Sequence, residues 1–391
     1  MSKAKQVPVL SLYVHIPFCR RKCAYCDFAS YPYSSAAMEA YVQKLCREIA
    51  DYRERAGLQA LNTVYIGGGT PSLVPERLLE NLFEQIRDAF DVLEDCEITL
   101  EANPGTFARR EAEGWRRLGV NRVSLGVQAL DDELLQRIGR IHTEGQAEAA
   151  VRNVQDAGIR NVNLDLIYGL PGQTLPAWED TLRKALELGP THVSAYQLIN
   201  EENTRFRYQL LEGKLPALPD EDTALAMEER AADLLEASGL RRYEVSNYAL
   251  PGFECRHNIT YWQCLPYLGI GCAAHSDLFG RRYGHTPSLS GYLEEEIPAR
   301  LEEAYGTDRQ ERMFERVMLG FRMTRGVDLG RFRRDFGTGP EALWPESYAY
   351  FEREGYARTD ADHWALTDAG MRIMNTLLVR LLSEAERKGG G

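Results

Sequence analysis

The chain reads as an α/β protein in which six strands alternate with helices, closed by a small, mainly helical domain. Three observations predict this. Short runs rich in Val, Ile, Leu and Tyr recur six times before residue 200, each followed by apolar residues at helical spacing. Polar residues or glycines stand at the carboxyl end of every run. The alternation then fades near residue 210, and helical patterns take over toward the end. Strand–helix alternation of this length implies a parallel sheet with right-handed crossovers, open or curled toward a barrel.

Taken in order, VPVLSLYV at 7–14 is the first strand, and Met38, Tyr41, Val42, Leu45, Ile49 and Tyr52 then share one helical face. LNTVYIGGG at 61–69 is the second strand. Pro75 suits the first turn of the helix after it, whose face carries Leu78, Leu79, Leu82, Ile86 and Phe90. CEITLEANP (96–104) and NRVSLGVQ (121–128) are the third and fourth strands, with helices over 108–118, 131–138 and 143–157. NVNLDLIYG (161–169) and THVSAYQL (191–198) complete the six, separated by the turn GLPGQT and a helix over 175–188.

Beyond Gln209 the period is less regular. Residues 218–239 read as a helix, YEVSNYA (243–249) as a seventh strand, and 251–285, rich in Gly, Cys, His and aromatics, as substrate-facing loop and sheet edge. Helical patterns resume near residue 308; ARTDADHWALT (357–367) reads as a hairpin or wing, 368–382 as the last helix and 386–391 as a disordered tail. The expected division is a domain over 1–300, with an extension from about 210, and a winged-helix-like domain over 301–391.

Composition narrows the function classes. Forty-six basic against 58 acidic side chains give a net charge of −12, which leaves no broad cationic surface and argues against nucleic acid as partner. The amino-terminal apolar run is short and broken by polar residues, unlike an ordinary signal peptide, and no window approaches a membrane span. Eight cysteines in 391 residues are too sparse for a disulfide scaffold. A reducing cytoplasm is the expected compartment, with clustered cysteines as candidate ligands.

The polar strand ends are His15 with the cysteine loop, the run from Gly67 to Thr70, Glu101 with Asn103, Gln128, Asp165, and Tyr196 with Gln197. In parallel α/β folds that edge forms the ligand site, so these positions read as one concave surface. Any one of them could instead cap the following helix.

HIPFCRRKCAYCDF carries the strongest chemistry, with Cys19, Cys23 and Cys26 spaced by four and three. Three thiolates so close suit an iron–sulfur cluster or zinc. Zinc would need a fourth ligand, and His15 at the end of a buried strand is awkwardly placed to supply it. A redox pair of Cys23 and Cys26 leaves Cys19 unexplained. A [4Fe-4S] cluster uses all three thiols and keeps one iron open for the amino and carboxylate groups of S-adenosylmethionine.

With Tyr25 before its last cysteine, this loop resembles the signature of radical S-adenosylmethionine enzymes. The words YVHIPFC, IGGGTPS, EANP, SLGVQ, NLDLIYGLPGQT, SAYQL and LTDAGMRIMNTLL resemble the oxygen-independent coproporphyrinogen III oxidase superfamily over nearly the whole chain. The resemblance implies a partial (β/α)6 barrel of TIM-like, radical SAM type. It implies that Gly67, Gly68 and Gly69, with Thr70, line the S-adenosylmethionine site and that Tyr13 touches that cofactor; by position, Glu101 reads as an acceptor for its amino group or ribose or as a solvated cap, and Phe28 as a shield of cluster and cofactor or as core. In the oxidase proper, positions matching Gln128, Arg140 and Asp165 help bind a second S-adenosylmethionine.

Two departures separate this chain from the oxidase. Phe28 stands where the oxidase has a fourth cysteine, and HNITYW at 257–262 resembles the HNxxYW word of the haem-chaperone, HemW-like branch. That branch implies haem or another tetrapyrrole as ligand, acceptor haemoproteins including respiratory ones, an electron donor such as flavodoxin or ferredoxin, and peripheral membrane contact through the acceptors. His257 is the candidate haem ligand, with His275 and His285 as alternatives. Oxidative decarboxylation of coproporphyrinogen III, radical methyl transfer and haem degradation are the competing activities.

Overall fold

The computed structural model describes residues 9–278, 281–294 and 305–389. Contacts divide the chain into two compact units. The first takes the chain up to Arg241, Tyr248–His257 and the stretch from Pro266; the second takes Arg242–Asn247, Asn258–Leu265 and the chain from Tyr305.

In the first unit the strands Val9–Ile16, Ala60–Gly68, Asp91–Ala102, Arg122–Gln128, Asn161–Tyr168 and His192–Gln197 lie side by side in sequence order, every pair parallel. Their interiors are Val, Ile and Leu at or near zero exposure, as befits strands covered on both faces. The first and sixth are not paired to each other, so the sheet remains an open, partial barrel. The expected six-strand alternation is therefore present; the first strand runs on to Ile16, and residues 7–8 of its expected start lie outside the described residues.

Helices cover the sheet with the apolar faces that the spacing predicted. Ser35–Ala56 starts where the Ser34 hydroxyl accepts from the Ala37 N–H and buries Met38, Tyr41, Val42, Leu45 and Ile49. Glu76–Ala89 buries Leu78, Leu79, Leu82 and Ile86, each worth about 1.5–3 kcal/mol. Pro75 stands at its N-cap rather than inside the first turn. Trp178 on Leu175–Glu187 is fully buried and donates its indole N–H to Met227 O of Glu221–Ala237 at 2.8 Å, which joins those two helices.

Three regions differ from the expected pattern. The helix Arg205–Leu211, set by Phe206 at 0% exposure, was not expected. Of the supposed seventh strand only Asn247–Ala249 is extended. Residues 251–285 form the sheet edge that was expected, but with regular elements in place of mere loop: the helix Arg256–Trp262 and three strands, of which Tyr267–Ile270 adds in parallel to Val9–Ile16 and His275–Leu278 and Arg281–Gly284 follow antiparallel. Strands of four residues with Gly and His are too short to show a period, so only pairing reveals them.

The second unit has its own core around Trp364, which is fully buried and stacks on Tyr348 at 4.6 Å and Phe351 at 6.0 Å. The expected hairpin forms from Ala357–Thr359 and His363–Leu366, with Val327–Asp328 as a third strand. Helices Arg309–Gly320, Leu329–Phe336 and Pro345–Arg353 pack with it. The closing segment is two helices, Asp368–Arg372 and Met374–Gly389. The second of these occupies 386–389, where a disordered tail was expected; 390–391 lie outside the described residues.

Candidate functional site: a thiol-lined cavity at the strand ends

The cysteine loop and the carboxyl ends of the parallel strands enclose a cavity of about 310 Å³. Cys19, Cys23 and Cys26 line it from the loop, and successive strand ends contribute Gly68 to Thr70, Glu101 with Asn103, Gln128, Asp165 and Tyr196. Phe28 and Arg140 complete the wall. Most of the residues singled out in the sequence are thus brought to one place. Tyr13, Gly67 and His257 are not among the lining residues.

The loop is pinned on both flanks. Phe18–Cys19 pairs with Tyr31–Pro32, Phe18 is fully buried edge-on to Tyr41 at 5.5 Å, and Ala24 bonds through its N–H to Ile138 O (3.1 Å) and through its C=O to the Phe206 N–H (2.9 Å). All three thiols are half-buried. Burial pushes the Cys19 and Cys26 thiols up, which disfavours the thiolate a metal needs. At Cys19 the Thr70 hydroxyl, which donates to Sγ at 3.4 Å, opposes this, and Arg140 Nη1 donates to Cys23 Sγ at 3.5 Å.

Those two donors belong to one chain of contacts. Asn103 Nδ2 donates to Thr70 Oγ1 at 2.9 Å, and Asn103 Oδ1 accepts from Arg140 Nη2 at 2.7 Å. Arg140 also donates to Gly126 O and, through Nε, to His142 Nδ1 at 3.3 Å. Burial and the Arg140 charge push the His142 imidazole down to about 4, so it stays neutral and able to accept that bond. Among the described residues no three His, Cys, Asp or Glu side chains gather tightly enough for a single ion. Three soft sulfur donors along one wall, with hydrogen bonds aimed at two of them, fit an iron–sulfur cluster.

The glycine run also packs closely on the protein's own side chains. Gly68 has φ +113, and a Cβ there would lie 2.5 Å from the His15 ring; one on Gly67 would lie 2.8 Å from Tyr65 and 3.0 Å from Glu101. The close approach that requires glycine is therefore to the protein's own side chains. It lets the Gly68 N–H donate to Glu101 Oε2 at 2.9 Å while Tyr65 OH donates to Oε1 at 2.8 Å. Burial, helped by the neighbouring Asp165 charge, still pushes the Glu101 carboxyl up to about 7.

Gln128 ends its strand at φ 68, an uncommon conformation for a side-chain-bearing residue that concentrates at functional positions. Its Oε1 accepts from Tyr196 OH at 3.4 Å. Asp165 is held by Asn163 Nδ2 at 2.8 Å and Ser124 Oγ at 3.2 Å, and burial pushes its carboxyl up.

His257 is packed away from the cavity. Its ring is 1% exposed, stacks on Tyr65 at 5.0 Å, and shares a 2.7 Å hydrogen bond with Thr63 Oγ1. Burial, then the Arg122 charge, holds this imidazole neutral, pushed down to about 3. Glu97 accepts the N–H groups of Arg256 (3.0 Å) and His257 (3.1 Å), capping the helix Arg256–Trp262 that carries the HNITYW word. Tyr13 packs beside it, its hydroxyl on His15 Nδ1 at 2.8 Å and its ring 6.2 Å from Tyr65. His285 is buried against Glu48 at 2.7 Å, while His275 is exposed. Cys255 and Cys272 are buried, donating to Glu97 Oε1 at 3.6 Å and Pro287 O at 3.1 Å.

Tyr65, Ser124, Gly126 and His142 also line the cavity and were not anticipated. Tyr65 shares a strand face with Gly67, so period-two alternation could have found it; a register shift separates Ser124 from Gln128, and His142 carried no such signal.

Comparison with known proteins agrees with this geometry. Residues 13–185 match the radical SAM superfamily and residues 307–373 the HemN C-terminal domain. Proteins named heme chaperone HemW are 37% identical to this chain: that of Haemophilus influenzae over 97% of this chain and 99% of its own length, and that of Escherichia coli over 97% and 100%. The structure of coproporphyrinogen III oxidase (HemN) from Escherichia coli shares the fold, with a TM-score of 0.81, 22% identity, and coverage of 96% of this chain and 90% of that one. Identity of this extent over essentially the full length of both chains places the protein: it belongs to the HemW family of radical SAM proteins.

Proposed function

We propose that this chain is a haem chaperone that binds haem and passes it to acceptor haemoproteins, with a [4Fe-4S] cluster and S-adenosylmethionine in the cavity at the strand ends. The observation that carries the reading is identity of 37% to proteins named heme chaperone HemW over 97% of the chain. When bound, the cluster and S-adenosylmethionine supply one-electron reductive chemistry at a sulfonium. Cys19, Cys23 and Cys26 are the ligands. Thr70 and Arg140 support the charged thiolates of Cys19 and Cys23 by donating to them. Glu101 and Asp165 offer carboxylate acceptors to the amino and hydroxyl groups of S-adenosylmethionine, and Gln128 and Gly69 share that wall. Tyr13 acts through Tyr65, and Phe28, 68% exposed, shields the rim.

A flavodoxin- or ferredoxin-type protein is the electron donor in this reading. Arg20, Arg21 and Lys22 are exposed between the first two cluster cysteines. Arg20 and Lys22 donate to backbone carbonyls, Gly105 O at 3.1 Å and Phe28 O at 3.0 Å, neutral acceptors that leave the charges available to an acidic partner. Among the described residues no helix is long and apolar enough to cross a membrane. The chaperone works in the cytoplasm and meets the membrane through respiratory acceptors.

Haem ligation by His257 requires the ring to leave Thr63 and Tyr65. Haem titration of wild type and His257→Ala under reducing, cluster-intact conditions, followed by transfer to an apo-haemoprotein, tests the reading. Wild type that takes up no haem overturns the chaperone function; an unchanged spectrum and transfer rate in His257→Ala removes His257 as the ligand and leaves the function standing.

A further inference from the structure

Beneath the cavity floor lies a polar layer that neither the thiols nor the wall explains. Asn163 sits at its centre, 2% exposed and outside the cavity lining. The parallel register sets Asn163 beside Ser124 on one neighbouring strand and His192 on the other, and Asp165 beside Ser194. Four hydrogen bonds converge on its amide. Oδ1 accepts from His192 Nδ1 at 2.6 Å and from Ser194 Oγ at 3.2 Å. Nδ2 donates to Ser124 Oγ at 2.8 Å and to Asp165 Oδ1 at 2.8 Å.

This arrangement has one consistent orientation. A flipped amide would set its oxygen against the Asp165 carboxylate, acceptor against acceptor, and lose that bond. With Nδ2 on Asp165, Oδ1 must take its protons from the other side, which fixes the His192 proton on Nδ1. His192 is fully buried, and burial holds its imidazole neutral, as that role requires. Ser124 relays the restraint, since it accepts from Asn163 and donates to Asp165 Oδ2 at 3.2 Å. Both carboxylate oxygens are therefore tied, directly or through Ser124, to one buried amide, and the Ser194 hydroxyl, which also reaches that amide, is a further hydrogen-bond partner of Asp165. Asp165 alone of this group reaches the cavity besides Ser124.

The geometry points to Asn163 as the positioning residue of the S-adenosylmethionine site, holding the Asp165 carboxylate in one orientation toward the bound cofactor. The inference rests on the proposal that Asp165 contacts S-adenosylmethionine. Hydrogen bonds to a charged group are strong and directional, so removing the hub frees a carboxylate that must otherwise be reoriented on binding.

A double-mutant cycle on the full chain, reconstituted anaerobically, separates this from a structural role. S-adenosylmethionine affinity is measured by equilibrium dialysis for wild type, Asn163→Leu, Asp165→Asn and the double variant, with iron and sulfide content as the control for an intact cluster. Asn163→Leu is expected to weaken binding about tenfold in the wild-type background and less than about twofold in the Asp165→Asn background. Equal losses in both backgrounds, or unchanged affinity in Asn163→Leu, overturn the inference. Unchanged affinity in Asp165→Asn removes the underlying contact, and the hub with it, and is read separately from the first two outcomes. Should Asn163→Leu fail to fold, Asn163→Ser keeps a small polar group that cannot span to Asp165 and enters the same cycle with the same expected pattern.

Discussion

The cysteine loop leaves three half-buried thiols on a cavity wall, whereas the histidine of HNITYW is closed between Tyr65 and Thr63 at 1% exposure. Both segments carry family words. The first is a local device: its ligands lie within eight positions, so spacing alone brings them together. The second depends on distance, because Thr63 and Glu97, far away in sequence, decide where His257 goes. A motif names residue types; whether a side chain meets solvent, ligand or core is set by what packs over it.

The largest expected effect breaks the first half of this contrast. Cys19→Ala, Cys23→Ala or Cys26→Ala each removes stable cluster binding, since each thiolate is one of three protein ligands. Iron and sulfide analysis with electron paramagnetic resonance reads the loss; four irons per chain in the triple variant would refute the assignment.

His257→Ala attacks the other half. Loss of a fully packed ring that also holds Thr63 is expected to cost about 2–4 kcal/mol in denaturant unfolding. Its neutral burial adds a pH signature. With the folded value depressed to about 3 from 6.5, its contribution is present above pH 6.5 and lost as pH falls toward 3. His257→Gln should flatten that acid limb, and an unaltered limb would show that the ring is not held neutral in the fold.

Glu101→Gln sharpens the contrast from the cavity side. The folded carboxyl titrates near 7 against an ordinary 4.5, so stability is full below pH 4.5 and falls as pH rises through 7. The cluster-free protein should therefore lose about 3 kcal/mol across that window, a loss absent in Glu101→Gln. Parallel melting curves for the two proteins would contradict this.

Phe28→Cys is expected to do least. At 68% exposure the ring packs little, so stability should change by less than about 0.5 kcal/mol. It should also gain no coproporphyrinogen III decarboxylation, because substrate placement, not one added thiol, sets that chemistry. Appreciable activity would show the remaining site to be oxidase-like already.

By itself the sequence determined the six-strand alternation, the helical faces built on Leu78, Leu82 and Ile86, and the thiol loop. Each of these is a repeating or short-range pattern: apolar period fixes which face is buried, and a loop of eight residues keeps its ligands close. The strand ends were legible too, since parallel topology places Glu101, Gln128 and Asp165 on one edge. Only the tertiary structure decided the rest. Tyr267–Ile270 becomes a strand because Val9–Ile16 offers it an edge, and its four residues carry no period of their own. That Gly67 and Gly68 stand where a Cβ would crowd Tyr65, Glu101 and His15 is visible only in the fold. Asn163 is a hub because three strands bring Ser124, His192 and Asp165 within hydrogen-bonding distance of one amide. His257 is buried for the same physical reason: partners contributed by separate strands, each meaningless to the linear pattern, meet its Nδ1 and its backbone N–H.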